Sequence, residues 1–251
     1  DTASMSRGGL RQTPHQPLLV EGPEVTHFSY FANSKTQREI VNAAIRGDAN
    51  LFATDLPLTA PEMNSPDDMQ APTLLGRSND TNAPVCFVLP GIMGSHLSQD
   101  DKWMWVNPLR MAFGGIDKLA INMPDVDSSG SIRKYYGGVA EYLSRTHRVI
   151  PFDYDWRLSV LEQGHQKGIR KLGKLVKDEL ARTDQPIRFL AHSMGGLVVR
   201  ALFQAQPELL NLIKQREGSR FVMLGTPNGG SMKMISTLLG RDASIRQLEM
   251  L

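Results

Sequence analysis

Cysteine is nearly missing from this sequence. The 251-residue chain has one, Cys86, which excludes an internal disulfide and a cysteine-rich metal site. It stands inside the apolar run Val85-Cys-Phe-Val-Leu89 and reads as a buried small hydrophobe. An excess of charge of one sign is also lacking. With 28 basic and 26 acidic residues the net charge is +2, which argues against nucleic acid or another polyanion as partner. The densest basic patch, Lys167 to Lys177, alternates with Leu172, Leu175 and Val176, the pattern of a solvated helix face. No apolar run reaches the roughly 18 residues that a membrane-spanning helix needs, so no transmembrane segment is expected. No signal-peptide pattern opens the chain, and the compartment stays open. No pair of the six histidines has a metal-ligand spacing with carboxylates, so neither a metal nor another cofactor is expected.

What is present is an ordinary globular composition, 41% hydrophobic and 22% charged, unevenly distributed along the chain. Residues 1 to 83 read as an amino-terminal extension or linker rich in Pro, Gly, Ser and Thr. Within it, Ser34-Lys-Thr-Gln37 fits a capping box opening one short amphipathic helix through Ile40, Val41, Ala44 and Ile45. Residues 84 to 251 read as the main domain. There, apolar strands (Val85 to Leu89, Val149 to Phe152, Ile187 to Ala191, Phe221 to Leu224) alternate with helices (Val139 to Arg145, Leu158 to Arg182, Met194 to Gln204, Met232 to Leu239). That alternation predicts an α/β fold with a mostly parallel sheet covered by helices on both faces.

The sharpest chemical signal is Ala191-His-Ser-Met-Gly195. An apolar strand precedes it and an apolar helix follows, the context of a serine nucleophile elbow. Such a turn needs small residues two before and two after the serine, and Ala191 and Gly195 meet that need. Ser193 is therefore the candidate nucleophile. The helix that starts at Met194 aims free N–H groups toward it, favouring a developing oxyanion. A second donor must come from a loop after an earlier strand. Leu89-Pro-Gly-Ile-Met-Gly-Ser95 supplies one: Gly91 and Gly94 allow a close backbone approach, and Ile92 and Met194 become the candidate oxyanion-hole donors.

Val88-Leu-Pro-Gly-Ile-Met-Gly-Ser95, Phe152-Asp-Tyr-Asp-Trp-Arg157, Ala191-His-Ser-Met-Gly-Gly196 and Leu224-Gly-Thr-Pro-Asn-Gly-Gly-Ser231, in this order, resemble the lecithin:cholesterol acyltransferase family of α/β-hydrolase lipases, phospholipases and acyltransferases. The resemblance spans roughly residues 85 to 232. It implies a three-layer α/β-hydrolase sandwich, an acyl-Ser193 intermediate, and a lipid or other ester as substrate.

Asp155 and Arg157 shape the floor or entrance of the site, or form a structural ion pair beside an aromatic plug. Asp153 and Asp155 are not assigned as the triad acid, because both precede the serine, against the order of this fold. Thr226 lies in a small-residue loop that either leaves room for an acyl chain or is a tight strand–helix connection. Met93, Met194, Met223, Met232 and Met234 line an acyl channel or fill the core. His192 reads as a supporting residue, and His96, near the oxyanion loop, either reaches the site or is a solvated loop residue.

No histidine follows Ser193. The triad acid and base are therefore expected beyond Leu251, on the rest of a larger chain whose hydrolase domain is only begun here. The isolated chain is expected to be nearly inactive, since loss of triad members leaves a residual ~10³–10⁴-fold acceleration. The alternative is a non-catalytic, hydrolase-like interaction module of a larger multidomain protein.

Overall fold

The computed structural model describes residues 82–100, 102–105, 119–161 and 168–231. The expected helices after Ser34 and Met232 lie outside them, as do Met234, His15, His27 and His165. Eleven elements follow in order: β1 (Val85–Leu89), β2 (Ser95–Gln99), β3 (Lys102–Trp105), β4 (Val126–Ser131), α1 (Arg133–Ser144), β5 (Arg148–Pro151), α2 (Gly168–Arg182), β6 (Ile187–His192), α3 (Met194–Ala205), α4 (Pro207–Lys214) and β7 (Arg220–Leu224).

Four strands form one parallel sheet in the order β5-β1-β6-β7. Its strands are apolar on both sides because both sides are covered. Val85, Phe87, Leu89, Ile187 and Phe189 pack against α2, α3 and α4 through Ile169, Leu172, Val176, Val199, Leu202 and Leu209. On the opposite face Cys86, Val88, Val149 and Leu190 pack against Tyr136, Val139, Ala140 and Leu143 of α1. Phe189 is the hub of the first face. It stacks on Phe87 with centroids 5.4 Å apart and meets Phe203 and Phe221 edge-on at 5.5 and 6.2 Å. Cys86 is fully buried, and that burial pushes its thiol up to about 12.

The mixed α/β architecture with a parallel sheet is the one the alternation implies, but several boundaries and one whole layer differ. Strands β2, β3 and β4 form a separate antiparallel sheet, order β3-β2-β4, which hydrophobic patterning does not reveal. Each contributes a single buried apolar residue to a small core (Leu97, Met104 and Val126) and is otherwise polar or aromatic. α1 begins at Arg133, not Val139, because Tyr136 already belongs to its buried face. The segment expected as a helix from Leu158 opens instead as a turn: the Leu158 amide bonds the Asp155 carbonyl at 3.4 Å, and helix is present at 160–161 and 168–182. Phe152 lies just past β5. The helix after Ser193 ends at Gln206, held by the following proline out of α geometry (φ −134°, ψ 69°), and Pro207 opens α4 as a first-turn proline.

A buried ion pair links sheet to helix. Arg148 Nε and Nη2 of β5 each donate to Glu179 of α2 at 2.9 Å, and both side chains are almost fully covered.

Candidate active site

The carboxyl ends of β1 and β6 lie side by side, with Leu89 registered against Ala191. The segments leaving these two strands therefore meet. Ala191 is fully buried between Leu89 and Met223. Two residues on, Ser193 takes φ 51° and ψ −122°, a region that costs a non-glycine residue on the order of 1–3 kcal/mol. The strain is held from both sides. The Ser193 amide donates to the Leu224 carbonyl at 2.7 Å, and its carbonyl accepts from Gly196 at 3.1 Å. Ser193 is 5% exposed, and its hydroxyl makes no hydrogen bond among the described residues.

Residues 91–94 form a tight turn closed by the Gly94 amide on the Gly91 carbonyl at 3.0 Å, with Met93 at φ 59°. The turn presses against the serine. A Cβ at Gly91 would lie 2.9 Å from the Ser193 Cβ, and one at Gly195 would lie 2.5 Å from the Pro90 carbonyl oxygen. Gly94 is equally enclosed, by Pro90 and the Tyr136 hydroxyl at 2.7 and 2.8 Å from its Cβ position. Three of the small residues singled out from the sequence are thus small because the space a Cβ would take is filled, by side-chain atoms first at Gly91 and Gly94 and by the Pro90 backbone at Gly195. The amides of Ile92 and Met194 have no acceptor among the described residues.

Long-range donors fix this turn almost atom by atom. Tyr154 Oη donates to the Pro90 carbonyl at 2.9 Å, and Trp105 Nε1 to that of Met93 at 3.0 Å. The Ile132 amide donates to Gly94 at 2.9 Å, and Trp156 Nε1 to Ser95 at 3.1 Å. On the amide side, Gly91 N–H donates to Tyr136 Oη at 2.9 Å, and the same oxygen lies 3.0 Å from His192 Nδ1. None of these partners carries a signal in the sequence; only the fold brings them to the turn.

Asp155 and Arg157 meet as a buried, two-pronged pair. Arg157 Nη2 lies 2.7 Å from Oδ2 and Nε 3.0 Å from Oδ1, with both side chains 5% exposed. Arg157 Nη1 also donates to the Ala120 carbonyl at 2.9 Å, so the pair ties the 155–158 turn to the segment before β4. Asp153 reaches outward to Lys171 at 3.1 Å. Thr226 packs its side chain directly on the Cα of Gly196, in the first turn of α3, and its hydroxyl is buried without a hydrogen-bond partner among the described residues. Met223 is 41% exposed on β7.

One histidine, His96, falls differently from expectation. His96 is neither in a loop nor solvated. It lies on β2 at 2% exposure, stacked on Trp103 at 4.6 Å, with Nδ1 3.2 Å from the Trp105 carbonyl. Burial holds its pKa below the usual histidine value. His147, before β5, lies 2.6 Å from Arg188 Nη1 through Nε2; burial first and that guanidinium second push it down to about 4. His192 engages the Tyr136 hydroxyl through Nδ1 at 3.0 Å.

A family model for lecithin:cholesterol acyltransferase matches residues 138–250. The matched span contains three of the four motifs on which the resemblance was drawn, with Asp155, Arg157, Ser193, Met194, Gly195 and Thr226, and leaves the 91–94 turn outside it. No curated protein matches the chain.

Proposed function

We propose, from the premise that residues 138–250 carry a segment of the lecithin:cholesterol acyltransferase family, that this protein transfers acyl groups from a lipid or other ester through an acyl-Ser193 intermediate. One observation carries the reading. A serine is held at a strained strand-to-helix apex, with a glycine turn from another strand pressed against it. Strain of this kind persists where the surroundings over-determine it, and it concentrates at reacting groups.

In the proposed chemistry Ser193 Oγ attacks the ester carbonyl and gives its proton to a general base. The carbonyl oxygen becomes an oxyanion, stabilised by the Ile92 and Met194 N–H groups. Collapse of this intermediate expels the alcohol, which recovers the proton. Water or a second alcohol then releases the acyl group by the reverse sequence. The described histidines, His96, His147 and His192, are each engaged elsewhere, so the base and its acid are assigned to residues outside those described. The sheet is read as part of an α/β-hydrolase domain beginning near residue 84, and residues 1–83 as its extension.

Fluorophosphonate labelling of the full-length protein tests this reading. Covalent modification at Ser193, lost in Ser193→Ala together with hydrolysis of p-nitrophenyl acyl esters, is the expected result. A folded protein that neither labels nor turns over esters would overturn it and favour a non-catalytic, hydrolase-like interaction module.

A further inference from the structure

The two proposed oxyanion donors stand on separate pieces of chain. Ile92 N–H belongs to the turn after β1, and Met194 N–H to the first turn of α3. An oxyanion hole works only if both donors sit within tenths of an ångström of their working positions. Something must therefore hold the turn and the elbow at a fixed separation.

We propose that Tyr136 is the positioning residue that sets the oxyanion hole, its hydroxyl bridging Gly91 of the turn and His192 of the elbow. This rests on the acyl-transfer reading above. The Tyr136 hydroxyl reaches Gly91 across 45 residues of sequence and His192 across 56. It accepts the Gly91 N–H at 2.9 Å, and we assign its own proton to His192 Nδ1, 3.0 Å away. That arrangement places the neutral imidazole proton on Nε2. Burial raises the phenol's pKa, so the bridging proton is retained across the working range. The side chain is buried in one apolar cluster with Val139, Ala140 and Leu143 of its own helix and Val88 and Leu190 of the sheet. Its position is thus set by the core, not by the site.

The bridge also consumes the Gly91 amide. An N–H that donates to a phenol cannot serve an oxyanion, and this leaves Ile92, next in the turn, as the donor. Tyr136 therefore selects which amide faces the substrate as well as where it stands. His192 takes part through its backbone, since it is the residue immediately before Ser193.

The experiment compares steady-state ester hydrolysis by the full-length protein and three variants. Tyr136→Phe keeps the packed ring and removes only the bridging oxygen; it is expected to lower kcat ~10–100-fold with KM within about twofold. His192→Leu, which removes the nitrogen at the Nδ1 position, is expected to fall similarly. His192→Asn, whose side-chain oxygen can replace that acceptor, is expected to recover most of the rate. A purely structural role would move the unfolding midpoint while leaving kcat unchanged, and that result for Tyr136→Phe overturns the proposal. Should Tyr136→Phe fail to fold, the His192 pair decides: equal rates for Leu and Asn overturn it. Absence of Ser193 labelling in the wild type would remove the acyl-transfer reading itself, whereas a labelled wild type with an unimpaired Tyr136→Phe removes the positioning role alone.

Discussion

Gly91 and Ser193 face each other so closely that a methyl group on the glycine would stand 2.9 Å from the serine Cβ, and 3.0 Å from Nδ1 of the neighbouring His192. Neither segment can retreat easily. The turn is held by Tyr154, Trp105 and Tyr136, and the elbow by the Leu224 carbonyl. Gly91→Ala is therefore expected to push turn and elbow apart. Overpacking of this kind costs about 1–3 kcal/mol, and a displacement near 1 Å at a reacting centre costs roughly 10²-fold in rate. The rate of fluorophosphonate labelling should fall by that order while the far-ultraviolet dichroism stays native. Labelling at the wild-type rate would show that the contact is slack.

The backbone of Ser193 gives a prediction that separates stability from activity. At φ 51° a Cβ is strained, by ~1–3 kcal/mol, whereas glycine escapes the clash and loses roughly 0.5–1 kcal/mol through chain entropy. The first term is the larger. Ser193→Gly should thus unfold at higher denaturant than Ser193→Ala, by about 1 kcal/mol, with both variants inactive. The reverse order would mean that the elbow carries no strain.

For the Asp155–Arg157 pair the two side chains are equally buried, so neither charge has water to fall back on. Breaking such a pair costs ~3–5 kcal/mol, because a buried carboxylate loses its counter-charge. Arg157→Ala is expected to lose that much in urea unfolding, and the double change Asp155→Leu with Arg157→Met less. Loss of under about 1 kcal/mol in the single variant would contradict the burial.

Acid should weaken the fold through His147. Its pKa is about 4 when folded against 6.5 as a model value. The unfolded chain therefore takes up the proton first. Stability is complete above about pH 6.5, is lost as pH falls through the interval, and stops falling below about pH 4. His96 is shifted the same way and adds to the slope. His147→Gln offers Arg188 a neutral acceptor and removes the titration. Urea midpoints at pH 7.5 and 5 should differ less in this variant than in the wild type.

The sequence revealed those parts of the molecule in which one residue's neighbours in space are its neighbours in the chain. β1, β6, α3 and β7 are readable because each is a mainly apolar stretch bounded by turn residues, and Ser193 because its strand, apex and helix are contiguous. The antiparallel sheet escaped because Leu97, Met104 and Val126 give it only one inward apolar residue per strand, too few to register as alternation. His96 was misjudged for the same reason: a histidine after a glycine turn reads as loop unless the strand beneath it is seen. Tyr136, Tyr154 and the two indoles serve the turn from 12 to 64 positions away. No local pattern encodes such reach, since an aromatic that packs in a core and one that also offers a polar tip look alike in sequence.

The three tryptophans of this chain, Trp103, Trp105 and Trp156, all belong to the layer around the 91–94 turn, and none stands on the parallel sheet. Trp103 covers His96, while Trp105 and Trp156 meet edge-on at 5.2 Å and bond the Met93 and Ser95 carbonyls. Intrinsic fluorescence is therefore a local optical gauge. Emission on adding a substrate analogue reports movement of the turn, and an emission melt follows this small layer together with the face of the main core against which Trp156 also packs.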